Sequence, residues 1–165
     1  MKMGIKTIIV LCCIVAGTCA GKAVGSALTA RRLYFDELEK LARSLCGDFR
    51  FRRTPVCELL AEQAEGIKSG ALKKNVSEFI AYANGGGGEL KLGVAGFSAR
   101  EKRIVYDFFA SLGRYDLSTQ TFVLGGISEK LVGFAENAGE IEKKWAGLAV
   151  KLGFLTGACA GILFL

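Results

Sequence analysis

The apolar positions of this chain crowd toward its two ends. Between Thr7 and Ala30 only Lys22 carries a charge, one residue in 24, and between Trp145 and Leu165 only Lys151 does, one in 21. About 20 residues of helix cross the hydrocarbon core of a bilayer, so the pattern predicts transmembrane helices over 7–30 and 145–165. Lys22 lies nine residues before Arg31, and Lys151 seven after Lys144. With the middle of the chain on one side of a membrane, both lysines lie toward that side, where their stems can snorkel to the interface. Glycine recurs at every fourth position in each segment: Gly17, Gly21 and Gly25, then Gly153, Gly157 and Gly161. Small residues four apart line one helix face and let backbones approach closely in lipid. The stripes predict that the terminal helices pack on each other or on partner helices.

Between Arg31 and Lys144 the periodicity is helical throughout, with no sustained strand alternation. Leu38, Leu41 and Leu45 form one stripe; Val56, Leu59, Leu60, Ala64 and Ile67 another. Leu72, Val76, Phe79, Ile80 and Ala83 form a third, and Ile104, Val105, Phe108, Phe109 and Leu112 a fourth. Thr54-Pro55 reads as an N-cap followed by proline at the first helical position. Ser98 and Glu101 have capping-box spacing. "NGGGG", Asn84 to Gly88, predicts a flexible loop between two helical halves. Asp116 or Ser118 can start a last, long helix in which Leu117, Leu124, Leu131, Ala138 and Trp145 recur every seven residues, a repeat that calls for helix-on-helix packing. Gly125, Gly126 and Gly133 weaken its propensity, so a bend is expected near Gly125-Gly126. The expected fold is all-α: a helical bundle over 31–144 inserted between N- and C-terminal transmembrane helices.

Charge refines this picture. The formal net charge is +6, but without the four lysines of the two ends, Lys2, Lys6, Lys22 and Lys151, 18 basic residues face 16 acidic ones, a net of +2. That balance speaks against nucleic-acid binding. "RFRR", Arg50 to Arg53, is the strongest basic run; it reads first as a solvated loop and second as a contact for lipid phosphate or an acidic partner. Lys2 and Lys6 flank the outer end, against Arg31, Arg32, Lys40, Arg43, Lys130, Lys143 and Lys144 on the central flanks. The basic-residue rule then places the middle in the cytoplasm. A cleaved signal peptide, cut after Ala20, is the rival reading of the N-terminal segment. Mean hydropathy is positive, at +0.34. Four of the six cysteines lie in the apolar ends, none forms a CxxC pair, and the chain has no histidine. The residues therefore predict no metal site, and a disulfide framework does not suit a cytoplasmic domain.

Candidate chemistry is sparse. Without histidine, Ser-His-Asp and Cys-His arrangements cannot form within the chain. Asp36, Glu37 and Glu39, and the pair Glu58 and Glu62, read as solvated helix surface. "NGGGG" lacks the Lys-Ser/Thr of a phosphate loop. The residues predict no catalytic site and no cofactor. An alternative, a small membrane enzyme acting on lipid or cell-wall precursors, would need a carboxylate pair at the membrane surface, for which Glu140 and Glu142 near Trp145 are the candidates.

"SLGRYDLSTQ", Ser111 to Gln120, stands between two helical stripes and displays Arg114 and Tyr115 in a turn. With its neighbours, "FFASLGRYDLSTQ", it resembles the Phe-x-x-Leu-Gly-x-x-Asp-x-x-x-Gln region of the stage III sporulation protein AB family of endospore-forming bacteria. Thr54-Pro55 at a short amphipathic helix and "KKWAGLAVKLGFLTGACAGILFL", Lys143 to Leu165, resemble the same family. "NGGGG", the loosely matching stretch from Gly66 to Phe97, and Val56 in place of a leucine depart from its pattern. The resemblance implies a membrane component of the channel apparatus between mother cell and forespore, in the mother-cell-derived membrane. Its soluble region would resemble the helical cytoplasmic domains of type II secretion inner-membrane platform proteins. The implied partners are a cytoplasmic ATPase of the same operon, other sporulation channel membrane components and the lipid bilayer; a homo-oligomer is also open. Carried over, Thr54, Pro55, Leu112, Gly113, Asp116 and Gln120 are partner-binding candidates, with Arg114 and Tyr115 added for their expected exposure.

Overall fold

In the computed structural model, which describes residues 2–51, 54–85, 90–94 and 96–163, all regular structure is α-helical. The helices are α1 (Lys2–Phe51), α2 (Val56–Ala64), α3 (Gly70–Ala83), α4 (Ala99–Ser111) and α5 (Leu117–Leu163). They form two compact units. One comprises Met1–Arg32 and Asn137–Leu165, and the other Leu33–Glu136. The expected segment boundaries at 30/31 and 144/145 fall inside α1 and α5, which are helical across them. Helix α5 also stays helical through Gly125 and Gly126.

The unit Leu33–Glu136 buries the stripes that periodicity picks out. Leu38, Leu45, Leu59, Leu60, Leu72, Val76, Val105, Phe108, Phe109, Leu124 and Leu131 are fully inaccessible to solvent. Each such side chain contributes about 1.5–3 kcal/mol relative to remaining exposed. Tyr34 and Phe35, one turn before Leu38, are equally buried. With Phe97 they form a cluster of rings whose centroids lie 4.9 to 5.5 Å apart, and Phe134 of α5 stacks on Phe35 at 5.8 Å. Arranged edge-on or offset, such pairs add about 0.5–1.5 kcal/mol each beyond area burial.

Helix starts in this unit are set locally. Helix α4 carries the full capping box: Glu101 N–H donates to Ser98 Oγ at 3.3 Å, and Ser98 N–H to Glu101 Oε2 at 2.8 Å. Helix α3 is capped by Ser69, whose Oγ accepts from Leu72 N–H. Its start is also held from outside. Glu37 of α1 accepts the Lys68 and Ser69 N–H groups at 2.9 and 2.6 Å. A carboxylate there satisfies donors that the helix leaves open and meets the positive end of its dipole.

A buried polar chain ties three segments together. Asn75 of α3, wholly inaccessible, donates from Nδ2 to the Tyr34 hydroxyl at 2.8 Å and accepts the Gly93 N–H at 2.6 Å. Burial pushes the Tyr34 phenol up to about 12, opposed only in part by the Asn75 bond.

Candidate functional site

Three groups of candidate residues occupy different places. The glycine stripes lie in the terminal unit, where they face each other. A Cβ built on Gly17 would run into the Gly153 carbonyl and come within 3.0 Å of Gly157 Cα. One on Gly21 would meet the Ala149 carbonyl at 2.5 Å, one on Gly157 the Cys13 carbonyl at 2.6 Å, and one on Gly161 the Val10 Cγ1 at 2.9 Å. Gly153 mirrors this against Gly17 and Gly21, while Gly25 lies over Ala146 with looser contact. As positions rise along α1, their partners fall along α5, so the pair is antiparallel. The backbones touch because neither stripe has side chains to hold them apart.

The same register continues to a polar clamp. Thr29 Oγ1 donates to Glu142 Oε1 and Arg32 donates to Glu142 Oε2, both at 2.8 Å. These bonds, Arg32 first and Thr29 second, hold the Glu142 carboxyl below the usual carboxylate range. The other side of the pair is apolar and open. Leu11, Val15, Leu148, Leu152, Phe154 and Leu155 are exposed, as is Trp145 at 53%. Both helices are long and apolar enough to cross a membrane. Lys22 and Lys151 are exposed as well.

The second group, the connection between α4 and α5, is a tied turn. Leu112 is buried at the end of α4. Gly113 follows with φ +72°, a left-handed conformation that suits glycine at a helix end. Asp116 starts α5: Oδ2 accepts the Ser118 hydroxyl and the Thr119 N–H, and its carbonyl accepts Gln120 N–H at 2.8 Å. Those bonds, led by the one from Ser118, bring its carboxyl down to about 2. Gln120, 2% exposed, reaches back over the turn. With its amide oriented so that each atom meets its complement, the oxygen accepts Gly113 N–H at 3.0 Å and the nitrogen donates to the Tyr115 carbonyl at 3.2 Å. Leu112, Gly113, Asp116 and Gln120 thus all build the turn. Arg114 and Tyr115 are what it displays, Tyr115 being 43% exposed.

Thr54 and Pro55 form the third place. The expected order of cap and first helical residue shifts by one: Pro55 itself holds the N-cap position, with ψ 142°, and α2 begins at Val56. The extended ψ keeps Pro55 out of the helix while its carbonyl accepts Glu58 and Leu59 N–H groups at 3.1 and 3.2 Å. Pro55 is exposed and Thr54 half-buried. Thr54, Pro55 and the turn belong to the unit Leu33–Glu136, and the glycine stripes to the other unit.

Periodicity alone misses Asn75 and Glu37, which fasten α1 to α3. Asn75 sits beside Val76 on a face otherwise built of apolar residues, a signal for a buried polar partner. Of the carboxylate candidates, Glu58 and Glu62 are exposed, and Glu140 pairs with Lys144 one turn on at 3.7 Å. Arg52 and Arg53 of "RFRR", Gly86 to Gly88 of "NGGGG" and the side chains of Lys2 and Lys6 lie outside the described residues.

A glycine-packed antiparallel pair of apolar helices, carried by the same two helices that help build a folded helical unit, defines a helical protein with a candidate two-span anchor. The chain belongs to the stage III sporulation protein AB family, whose model matches residues 6–165, and its role is in sporulation. It has no significant match among curated proteins or solved structures.

Proposed function

We propose that the protein is a non-enzymatic membrane platform of the sporulation channel between mother cell and forespore. In this reading α1 and α5 anchor it in the mother-cell-derived membrane. The unit Leu33–Glu136 lies in the cytoplasm and couples an ATPase of the same operon to the other membrane components. Family membership gives the sporulation context. The observation that carries the platform role is the tied turn, where four residues of the family motif hold a short connection that presents Arg114 and Tyr115 to solvent. Tyrosine and arginine are residue types enriched at protein contacts. The enzyme alternative fares worse, because Thr29 and Arg32 already occupy both oxygens of Glu142, one half of its candidate carboxylate pair.

Arg114→Glu with Tyr115→Ala tests this reading. The expected outcome is loss of ATPase co-purification by tenfold or more, an effect of about 1.4 kcal/mol or above, with thermal unfolding within a degree or two of wild type. ATPase capture at the wild-type level would exclude this turn as the contact.

A further inference from the structure

Lys22 and Lys151 are cations in apolar surroundings with no acid to pair with. The sequence has no Asp or Glu before Asp36 and none after Glu142. Asp36 is 14 residues from Lys22, about 21 Å along a helix. Glu142 is nine residues from Lys151, about 13 Å away along the axis, and already holds Arg32 and Thr29. An uncompensated charge in such a place is costly and marks a functional position.

The helix register brings the two lysines together. Gly21 packs against Ala149 and Val150, and Gly161 against Val10, so paired positions sum to about 171 throughout. Lys22 therefore stands level with position 149, two residues or about 3 Å from Lys151. Each lysine directly follows a contact residue, Gly21 on α1 and Val150 on α5. A step of one residue turns about 100° around a helix. Because the helices run in opposite directions, these two steps turn to the same face of the pair. On that face Gly147, one turn before Lys151, is exposed, with open space where a side chain would stand.

Depth fits as well. Lys6 and Lys22 are 16 residues apart, about 24 Å of helix against a hydrocarbon core of about 30 Å. The difference is about the length of one lysine stem, so the Lys22 ammonium reaches the plane of lipid phosphates by snorkelling. We propose that Lys22 and Lys151 jointly bind the phosphate of an anionic lipid headgroup, which sits on their shared face beside Gly147. The proposal rests on the membrane-anchor reading above.

The test uses the full-length protein in nanodiscs of equal parts phosphatidylglycerol and phosphatidylcholine, with retained lipid counted by native mass spectrometry. Wild type is expected to retain phosphatidylglycerol preferentially. Lys22→Gln with Lys151→Gln should lower that preference about 30-fold, from roughly fivefold for each lysine near a charged surface. The Lys22→Arg, Lys151→Arg pair should keep it, and Lys143→Gln with Lys144→Gln should leave it within twofold. Equal retention by the double glutamine variant overturns the proposal. So does displacement by inorganic phosphate, which would mark a free-anion site, or lysine-dependent capture of an acidic protein without lipid preference. Flotation with vesicles separates the two readings. A chain that does not float defeats the membrane anchor itself, whereas one that floats without lysine-dependent lipid preference defeats only the lipid site.

Discussion

Asn75 does more than fill space in α3. It bridges the Tyr34 hydroxyl and the Gly93 N–H, and removing it leaves the buried hydroxyl without this partner. Asn75→Leu should cost about 1–3 kcal/mol, from the buried Tyr34 hydroxyl left without its partner; chemical denaturation of the purified protein reads this directly. Tyr34→Phe, which strands the buried Asn75 donor instead, should cost a similar amount. Asp116 makes a prediction about pH. Its folded pKa of about 2 lies below the ordinary value of 3.8, so its contribution is fully present above that value and fades as pH falls from there through 2. The stability gap between wild type and Asp116→Asn, followed by thermal melts from pH 6 to pH 2, should therefore shrink toward zero at the acid end. Sequence spacing alone leaves Asp116 and Ser118 as alternative helix starts, because both residue types suit the position before a helical stripe. It could not mark Gln120, whose partners are backbone atoms of a turn that exists only once α4 and α5 have both formed.

The helices themselves were largely legible. Leu72, Val76 and Phe79, or Ile104, Val105, Phe108 and Phe109, are buried where a 3.6-residue period puts them. What periodicity does not reach is how helices are fastened: Glu37 reads as surface by composition, yet it holds the entry to α3. The glycine stripes show the same limit. Their spacing announces close packing, but only the fold tells that Gly17 meets Gly153 and Gly157 rather than some other helix. At this scale the expected outcome of Gly157→Leu is a pair forced apart, since the new side chain would start against the Cys13 carbonyl. Overpacking of this kind costs about 1–3 kcal/mol. Crosslinking between cysteines placed at Gly25 and Ala146 of an otherwise cysteine-free chain should fall several-fold in that variant. Unchanged crosslinking would mean that the helices pair elsewhere.

For the molecule as a whole, charge and anchor are separate in sequence: all 16 acidic residues lie between Arg31 and Lys144. The proposal that the unit Leu33–Glu136 stays in the cytoplasm rests instead on the basic residues flanking both spans, which oppose its export. A cysteine at Glu78, exposed on α3, in a chain lacking the native six, should resist an impermeant maleimide in intact cells and react once they are opened. Labelling before opening would place the unit outside. The antiparallel glycine contact also has a consequence for biosynthesis. Gly17 and Gly153 are 136 positions apart, so at bacterial translation speeds of about 5–20 residues per second the first helix waits on the order of ten seconds for its mate. Throughout that interval its bare stripe is open to any small-residue helix nearby. A ribosome that stalls before α5 leaves the Gly17 stripe without the partner that the finished chain gives it.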